Sequence, residues 1–322
     1  MDRRIPVSVV TGFLGSGKTT LLSRLLAHRS LGETAVIVNE LGEVAIDHHL
    51  LRRVDERTVL LASGCVCCSL RGDLVDELRD LLSRRSRGEI PRFRRVVVET
   101  TGLADPAPIL STLLSEPVLR HQFRPEAVIT TVDAVNGLAQ LERQPESLKQ
   151  AVVADRLVVT KADIAERADV EALEDRLRRL NPTASVIEAS FGEVDPKALL
   201  RPADVRARHA SPPREHGGRP HELRAFSLVF DEPLDWTAFG IWLTMLLQSR
   251  GEDVLRVKGL LNVGAPGPLL LNGVQHVIHP PVHLDVWPDG DRRSRIVFIA
   301  RGVEPAALEA SLGAFNRAAA GS

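Results

Sequence analysis

The segment Gly12-Phe13-Leu14-Gly15-Ser16-Gly17-Lys18-Thr19 constrains this chain more than any other. Residues 5–10 before it form a short apolar run of strand character, and residues 18–27 after it carry helical apolar spacing. Two glycines with four residues between them, then lysine and threonine, between a strand and a helix, are what a phosphate-binding loop requires. The glycines let backbone N–H groups turn inward around phosphate oxygens, and the helix N-terminus adds its dipole. Backbone groups of Gly12, Gly15, Ser16 and Gly17, together with Lys18, Thr19 and Thr20, are therefore the expected nucleotide contacts. Lys18 reaches the β- and γ-phosphates in such a loop, and Thr19 ligates Mg²⁺.

A loop of this kind belongs in a mostly parallel sheet, and the texture of the first 200 residues agrees. Strand-like runs at 34–39, 58–62, 95–99, 127–132, 157–160 and 185–188 alternate with helical spacing at 70–82 and 170–180. Near-continuous apolar strands separated by helices imply a sheet covered on both faces. Residues 201–222 break the pattern with Pro202, Pro212, Pro213, Gly217, Gly218 and Pro220, and read as a linker. Beyond it, strands are expected at 223–230, 254–263, 269–278 and 295–300, with helices at 236–248 and 305–315. The fold class is α/β, a P-loop NTPase domain over 1–200 followed by a smaller α+β domain over 223–318.

Further strand ends carry polar residues suited to a nucleotide. Glu99 closes the run Val96-Val97-Val98, and Thr100-Thr101-Gly102 follows. A carboxylate there can hold the Mg²⁺ shell or orient water, and Gly102 can offer its N–H to the γ-phosphate and act as a switch hinge. Lys18, Glu99 and Gly102 are thus the candidate catalytic groups. Thr160-Lys161-Ala162-Asp163 ends another strand. An aspartate at that place accepts hydrogen bonds from guanine N1–H and the 2-amino group, which adenine lacks, so Asp163 favours GTP and Lys161 lies along the base.

All three cysteines fall in one window, Cys65-Val66-Cys67-Cys68. Soft thiolates suit Zn²⁺, Cu⁺ or an iron–sulfur cluster. Closed structural zinc sites use four ligands and cubane clusters want four thiolates, so three cysteines point to an open zinc-class site. In extended chain Cys65 and Cys67 point one way and Cys68 the other, so convergence needs a tight turn at Gly64 and the start of the next helix. A helix start also lowers thiol pKa. A redox pair and buried free thiols are the competing readings. Between loop and cysteines lie Glu40, Glu43 and Asp47, where a GTPase carries its first switch; Asp47 can reach the Mg²⁺ shell, and Glu40 or Glu43 can complete the metal site.

Composition removes several classes. The chain has 322 residues and a net charge of −1, giving no electrostatic case for nucleic acid or an anionic membrane. No run of eighteen apolar residues exists to span a bilayer, and no secretory leader is evident at the N-terminus, so the expected location is the cytoplasm. There, clustered cysteines are metal or redox groups rather than structural disulfides.

Together these segments resemble the CobW-type family of GTPases, metallochaperones related to the nickel-insertion GTPases of hydrogenase and urease maturation. The matching segments are Thr11 to Thr20, Asn39-Glu40-Leu41-Gly42-Glu43, Gly64-Cys65-Val66-Cys67-Cys68, Glu99 to Pro106 and Thr160-Lys161-Ala162-Asp163. In the C-terminal part they are Arg256 to Leu261, Gly273-Val274-Gln275-His276 and Ile296 to Ala300. The resemblance implies slow GTP hydrolysis, a metal carried by the GTPase domain, zinc as the commonest metal with cobalt or iron in some branches, and a C-terminal domain that helps engage client metalloenzymes. It leaves open a monomer or a nucleotide-dependent homodimer. Thr160 departs from the usual asparagine. A long histidine run found in some relatives is reduced here to His209, His216 and His221, and His276, His279 and His283 are spaced as ordinary core or surface histidines. The alternatives to a metal-transferring GTPase are a nucleotide-dependent metal sensor without transfer, a cobalt or iron insertion GTPase, and a P-loop kinase, against which Asp163 argues.

Overall fold

The computed structural model describes residues 2–28, 31, 33–39, 59–63, 72–200 and 223–320. The chain divides into two compact units, the first over residues 1–178 and 184–203, the second chiefly over 204–322.

In the first unit seven strands form one sheet: β1 (Ile5–Gly12), β2 (Thr34–Asn39), β3 (Val59–Ser63), β4 (Arg95–Glu99), β5 (Phe123–Asp133), β6 (Arg156–Thr160) and β7 (Ser185–Glu188), in the order β3-β2-β4-β1-β5-β6-β7. Every pairing is parallel. All strands therefore end at the same edge, which is where ligands bind in open α/β sheets. The helices are α1 (Lys18–Leu26), α2 (Gly72–Arg87), α3 (Ala107–Ser115), α4 (Pro117–Gln122), α5 (Gly137–Arg143), α6 (Pro145–Val153), α7 (Arg167–Leu180) and α8 (Pro196–Leu200). Leu21, Leu22, Leu25 and Leu26 of α1 are buried against Val10, Val36, Val97, Ile129 and Val158 of the sheet. Their i, i+4 spacing makes one apolar stripe, so burying it fixes α1, and the loop before it, across the sheet.

Helices α3 to α6 add to the helices expected from sequence, and three of them begin at a proline. In the structure Pro106 is the N-cap of α3, and Pro117 and Pro145 open α4 and α6. Proline costs nothing at a first turn, whose N–H has no intrahelical acceptor.

The second unit holds an antiparallel sheet of β8 (Leu223–Phe230), β9 (Val254–Leu261), β10 (Leu269–Val274), β11 (Val277–Ile278) and β13 (Ser294–Arg301), in the order β11-β10-β9-β13-β8, with β12 (Val282–His283) pairing β10. The expected single strand over 269–278 is a hairpin. Gln275 adopts φ 51°, a left-handed turn conformation, so the chain reverses there and Val274 pairs with Val277. Helices α9 (Trp236–Arg250) and α10 (Pro305–Ala320) contribute Phe239, Trp242, Leu243, Leu308 and Leu312 to the core. Phe298 centres it, stacked on Phe226 at 5.7 Å and meeting the Trp242 ring edge-on at 6.3 Å. The Trp242 indole N–H donates to Ser311 Oγ at 2.8 Å, tying α9 to α10.

Truncating Phe298 to alanine removes a fully buried ring and is expected to destabilise this unit by about 3–5 kcal/mol. All three tryptophans lie beyond residue 222, so urea unfolding followed by tryptophan fluorescence reads this loss directly.

Candidate functional site

Strand β1 lies at the centre of the sheet, between β4 and β5, so the loop leaving its end is flanked by the ends of both. Gly12 has φ 143°, and a Cβ there would sit 2.2 Å from Thr131 Oγ1 and 2.5 Å from the Thr131 carbonyl oxygen. No side chain fits. Gly15 and Gly17 also have positive φ, 71° and 87°, and Gly17 caps α1. These conformations turn the loop around a hollow at the helix N-terminus, the shape and polarity a phosphate needs.

The loop is braced from beneath. Ser16 Oγ and Thr131 Oγ1 are 2.7 Å apart and buried, and Thr131 Oγ1 donates to the Thr11 carbonyl at 3.3 Å. The Ser16 side chain thus faces the sheet rather than the hollow. Thr160 Oγ1 donates to the Ser16 carbonyl at 2.7 Å. The residue that departs from the asparagine pattern therefore supports the phosphate loop directly. Lys18 Nζ donates to the carbonyls of Gly12 and Phe13 at 3.0 and 3.3 Å, so its ammonium lies over the loop. Thr20 is exposed on α1.

On the β4 side, Thr19 Oγ1 donates to Glu99 Oε1 at 2.8 Å. Glu99 is buried, only 4% exposed. A hydroxyl and a carboxylate held together beside a phosphate hollow make the oxygen donor pair that Mg²⁺ favours. Thr100 is fixed to β1 through its N–H to the Val10 carbonyl at 2.9 Å and its hydroxyl to Thr11 Oγ1 at 2.8 Å. Gly102 follows, and a Cβ on it would lie 2.7 Å from the Leu14 amide nitrogen. Its backbone thus rests on the phosphate loop, a closeness only glycine allows.

On the β6 side, Lys161 takes φ 59° and donates from Nζ to Asp133 Oδ2 at 2.8 Å. Burial opposes the charge of Asp133, but the Lys161 ammonium and hydrogen bonds from Asn136 and Val135 outweigh it and hold the carboxyl below its usual range. A depressed carboxylate contributes fully above the ordinary value near 3.8, and its contribution is lost only as pH falls through the lower folded value. The pair is therefore intact at neutral pH. Asp163 is exposed and accepts from the Phe191 N–H at 3.5 Å.

Sequence reasoning missed Asp133, Thr131 and the turn at Ser190, Phe191 and Gly192. Phe191 and Gly192 both have positive φ, 54° and 76°, and the Phe191 ring is 67% exposed beside Asp163. The signal for Asp133 was the one that found Glu99, an acid closing an apolar run. The signal for the turn was the pair of turn-favouring residues Ser190 and Gly192 just after a strand.

Cys65, Cys67, Cys68, Glu40, Glu43, Asp47, His209, His216 and His221 lie outside the described residues. Among the described residues no group of three or more His, Cys, Asp or Glu side chains converges as a metal site. His276 and His283 are exposed, and the His279 ring lies 3.3 Å from the Asn272 amide. Among the described residues no helix is long and apolar enough to cross a membrane.

A central strand, a glycine loop, a helix start and a Thr–Glu pair at the next strand end define a P-loop nucleotide-binding protein. The chain belongs to the CobW family: the model of the CobW/HypB/UreG nucleotide-binding domain matches residues 6–188, and that of the CobW C-terminal domain matches residues 223–316. It is 35% identical over 301 residues to the zinc chaperone YjiA of Escherichia coli, covering 92% of this chain and 93% of that one. It is 28% identical over 350 residues to the zinc chaperone CobW of a Sinorhizobium species, covering 96% of each. The crystal structure of the Zn(II)-bound YjiA GTPase superposes with a TM-score of 0.75 at 30% identity, covering 97% of this chain and 99% of that one.

Thr160→Val keeps the shape but removes the donor to the Ser16 carbonyl. The expected cost is about 1–1.5 kcal/mol, roughly a tenfold weaker nucleotide affinity. Isothermal titration with GDP measures it, and an unchanged affinity would show that the brace is dispensable.

Proposed function

We propose that this protein is a GTP-hydrolysing metallochaperone that binds a zinc-class ion at Cys65, Cys67 and Cys68 and delivers it to a client metalloenzyme. The single observation that carries this reading is the order of strand ends along one edge. Asn39, the last residue of β2, is in register with Ser63, the last residue of β3. Val38 of β2 is in register with Glu99 of β4. The chain that continues to Glu43 and Asp47 and the chain that continues to the cysteines therefore leave the sheet side by side, next to the strand that ends in Glu99. Cys65 is two residues past Ser63, a reach of at most about 7 Å. The end of β3 is three strands from β1, about 14 Å at the usual inter-strand spacing. Thiolates and phosphates are thus within reach of a common set of loops. Kinship with proteins named zinc chaperones supports zinc as the cargo.

The residues divide the work as follows. Lys18 and the N–H groups of the 12–17 loop hold the phosphates and neutralise charge that grows on the β–γ bridge during hydrolysis. Thr19 and Glu99 would hold Mg²⁺, with Asp47 as a further ligand, and the ion would supply charge compensation for the phosphates. Gly102 offers its N–H to the γ-phosphate from its seat on Leu14. Asp163 reads the guanine N1–H and 2-amino group, steadied by the Phe191 N–H, while Lys161, anchored by Asp133, lies along the base. GTP then orders the segment after β2 and engages the already positioned segment after β4 through Gly102, and loss of the γ-phosphate releases both. Cysteines 65, 67 and 68 sit between those segments in sequence, so their geometry, completed by Glu43 or an exchangeable ligand, follows the nucleotide state. Cobalt or iron fits the same thiolate set in related chemistry.

Asp163→Asn is expected to erase the preference for GTP over ATP, since an amide accepts only one of the two guanine bonds well. Competition binding with both nucleotides checks this, and equal affinities in the parent protein would refute the guanine assignment. For the metal, Mg·GTP-analogue is expected to change zinc affinity by about 1–3 kcal/mol, with the reciprocal change in nucleotide affinity that linkage demands. A chelator-competition titration in nucleotide-free, GDP and GTP-analogue forms measures the coupling. Identical affinities in all three would leave two independent sites and end the chaperone mechanism. In the cobalt-substituted protein, thiolate charge-transfer absorption is expected and should vanish in Cys67→Ala.

A further inference from the structure

The segment 100–106, which follows Glu99 and carries Gly102, is gripped by two adjacent residues of α6. Gln150 is 1% exposed, and its Nε2 donates to the carbonyls of Gly102 at 3.2 Å and Ala104 at 2.9 Å. Lys149 Nζ pairs with Asp105 Oδ2 at 2.6 Å, both side chains partly exposed. Three of the seven residues in this segment are thus held by one turn of one helix. The amide orientation is dictated by its surroundings: only the NH₂ end can face two carbonyls. The opposite end, Oε1, is buried and meets no hydrogen-bond donor among the described residues. A solvent-exposed or merely space-filling glutamine would not be placed this way.

Helix α6 is itself fixed to the sheet. Thr130 Oγ1 of β5 donates to the Gln150 carbonyl at 2.9 Å. The same helix leads directly into Asp155 and β6, whose far end carries Thr160, Lys161 and then Asp163. Asp155 Oδ2 accepts from the Val128 N–H at 2.9 Å, so this connection is locked to β5 as well. Gly102 is also in contact with Leu14 of the phosphate loop. The segment therefore meets both a fixed helix and the phosphate loop, and its backbone orientation is set by donors on α6.

We propose that Gln150 and Lys149 are positioning residues for GTP hydrolysis: they clasp the 100–106 segment so that the Gly102 N–H is already directed at the γ-phosphate when nucleotide arrives. This rests on the reading that Gly102 serves the γ-phosphate. The clasp acts on the γ-phosphate alone. GDP has no group for Gly102 to meet, so GDP affinity is independent of the clasp, while affinity for a GTP analogue and the rate of hydrolysis depend on it.

The test compares GTP-analogue affinity, GDP affinity and single-turnover GTP hydrolysis across variants of the full chain. Gln150→Leu removes both donors and is expected to weaken the GTP analogue and slow hydrolysis about tenfold, with GDP affinity within twofold of the parent. Because a substitution at a buried position can disturb folding, the exposed pair provides a second arm. Lys149→Ala should show the same pattern at about threefold, and Lys149→Arg, which preserves the ion pair, should restore parental values. Equal losses for GDP and the GTP analogue would reduce the clasp to general packing and overturn the proposal. So would an arginine variant no better than alanine, or hydrolysis unmoved in all three. Lys18→Ala run alongside separates the two readings: if it still binds and hydrolyses GTP, the phosphate site is wrong and the clasp falls with it. If Lys18→Ala is inactive while the Gln150 and Lys149 variants match the parent, only the clasp fails.

Discussion

Gly12 leaves β1 at φ 143° with its α-carbon pressed against Thr131 of the neighbouring strand, and the rest of the nucleotide edge depends on that contact. The approach is possible only without a side chain. It lets the chain turn at once from strand into loop, so that α1 begins at Lys18 directly over the ends of β4, β5 and β6. From that position Thr19 reaches Glu99, Ser16 reaches Thr131, and Thr160 reaches the Ser16 carbonyl. A Cβ at position 12 would push the loop off the sheet and break three connections at once. The constraint is local and steric, but its consequences extend across four strands.

Hydroxyls carry most of these connections. Thr11, Ser16, Thr19, Thr100, Thr131 and Thr160 form short side-chain bonds beneath and beside the loop. Neutral hydroxyls suit this place. Each can donate and accept, so a buried network closes without leaving an uncompensated charge. The charged groups, Lys18, Glu99 and the Asp133–Lys161 pair, stand where phosphate, metal and base are expected. Structural support and ligand chemistry are thus divided between residue types.

The parallel sheet also explains why the polar residues gather at one edge. A connection that leaves the C-terminal end of any strand emerges on the nucleotide edge. The ends of β2, β3 and β4 are neighbours there: Asn39 is in register with Ser63, and Val38 with Glu99. Helix α6 adds a fixed support to the 100–106 segment, through donors that sequence position does not advertise.

Sequence alone determined the elements whose signals are local. The phosphate loop, the strand ends at Glu99 and Thr160 and the α/β alternation follow from glycine sterics, apolar runs and helix starts within a few residues. The antiparallel second unit was legible in the same way, except that 269–278 read as one strand, because Gln275 gives no hint that it will take a left-handed turn. Helices opened by proline were hidden, since proline signals a break unless the start of the helix is already known. Tertiary structure decided the rest. Thr160 bracing the loop, Asp133 anchoring Lys161, Phe191 meeting Asp163 and Gln150 holding Gly102 join residues 28 to 144 positions apart. Such pairings depend on strand order, which no window of sequence contains, and so the chain announces its nucleotide loop while only the folded sheet shows what holds that loop in place.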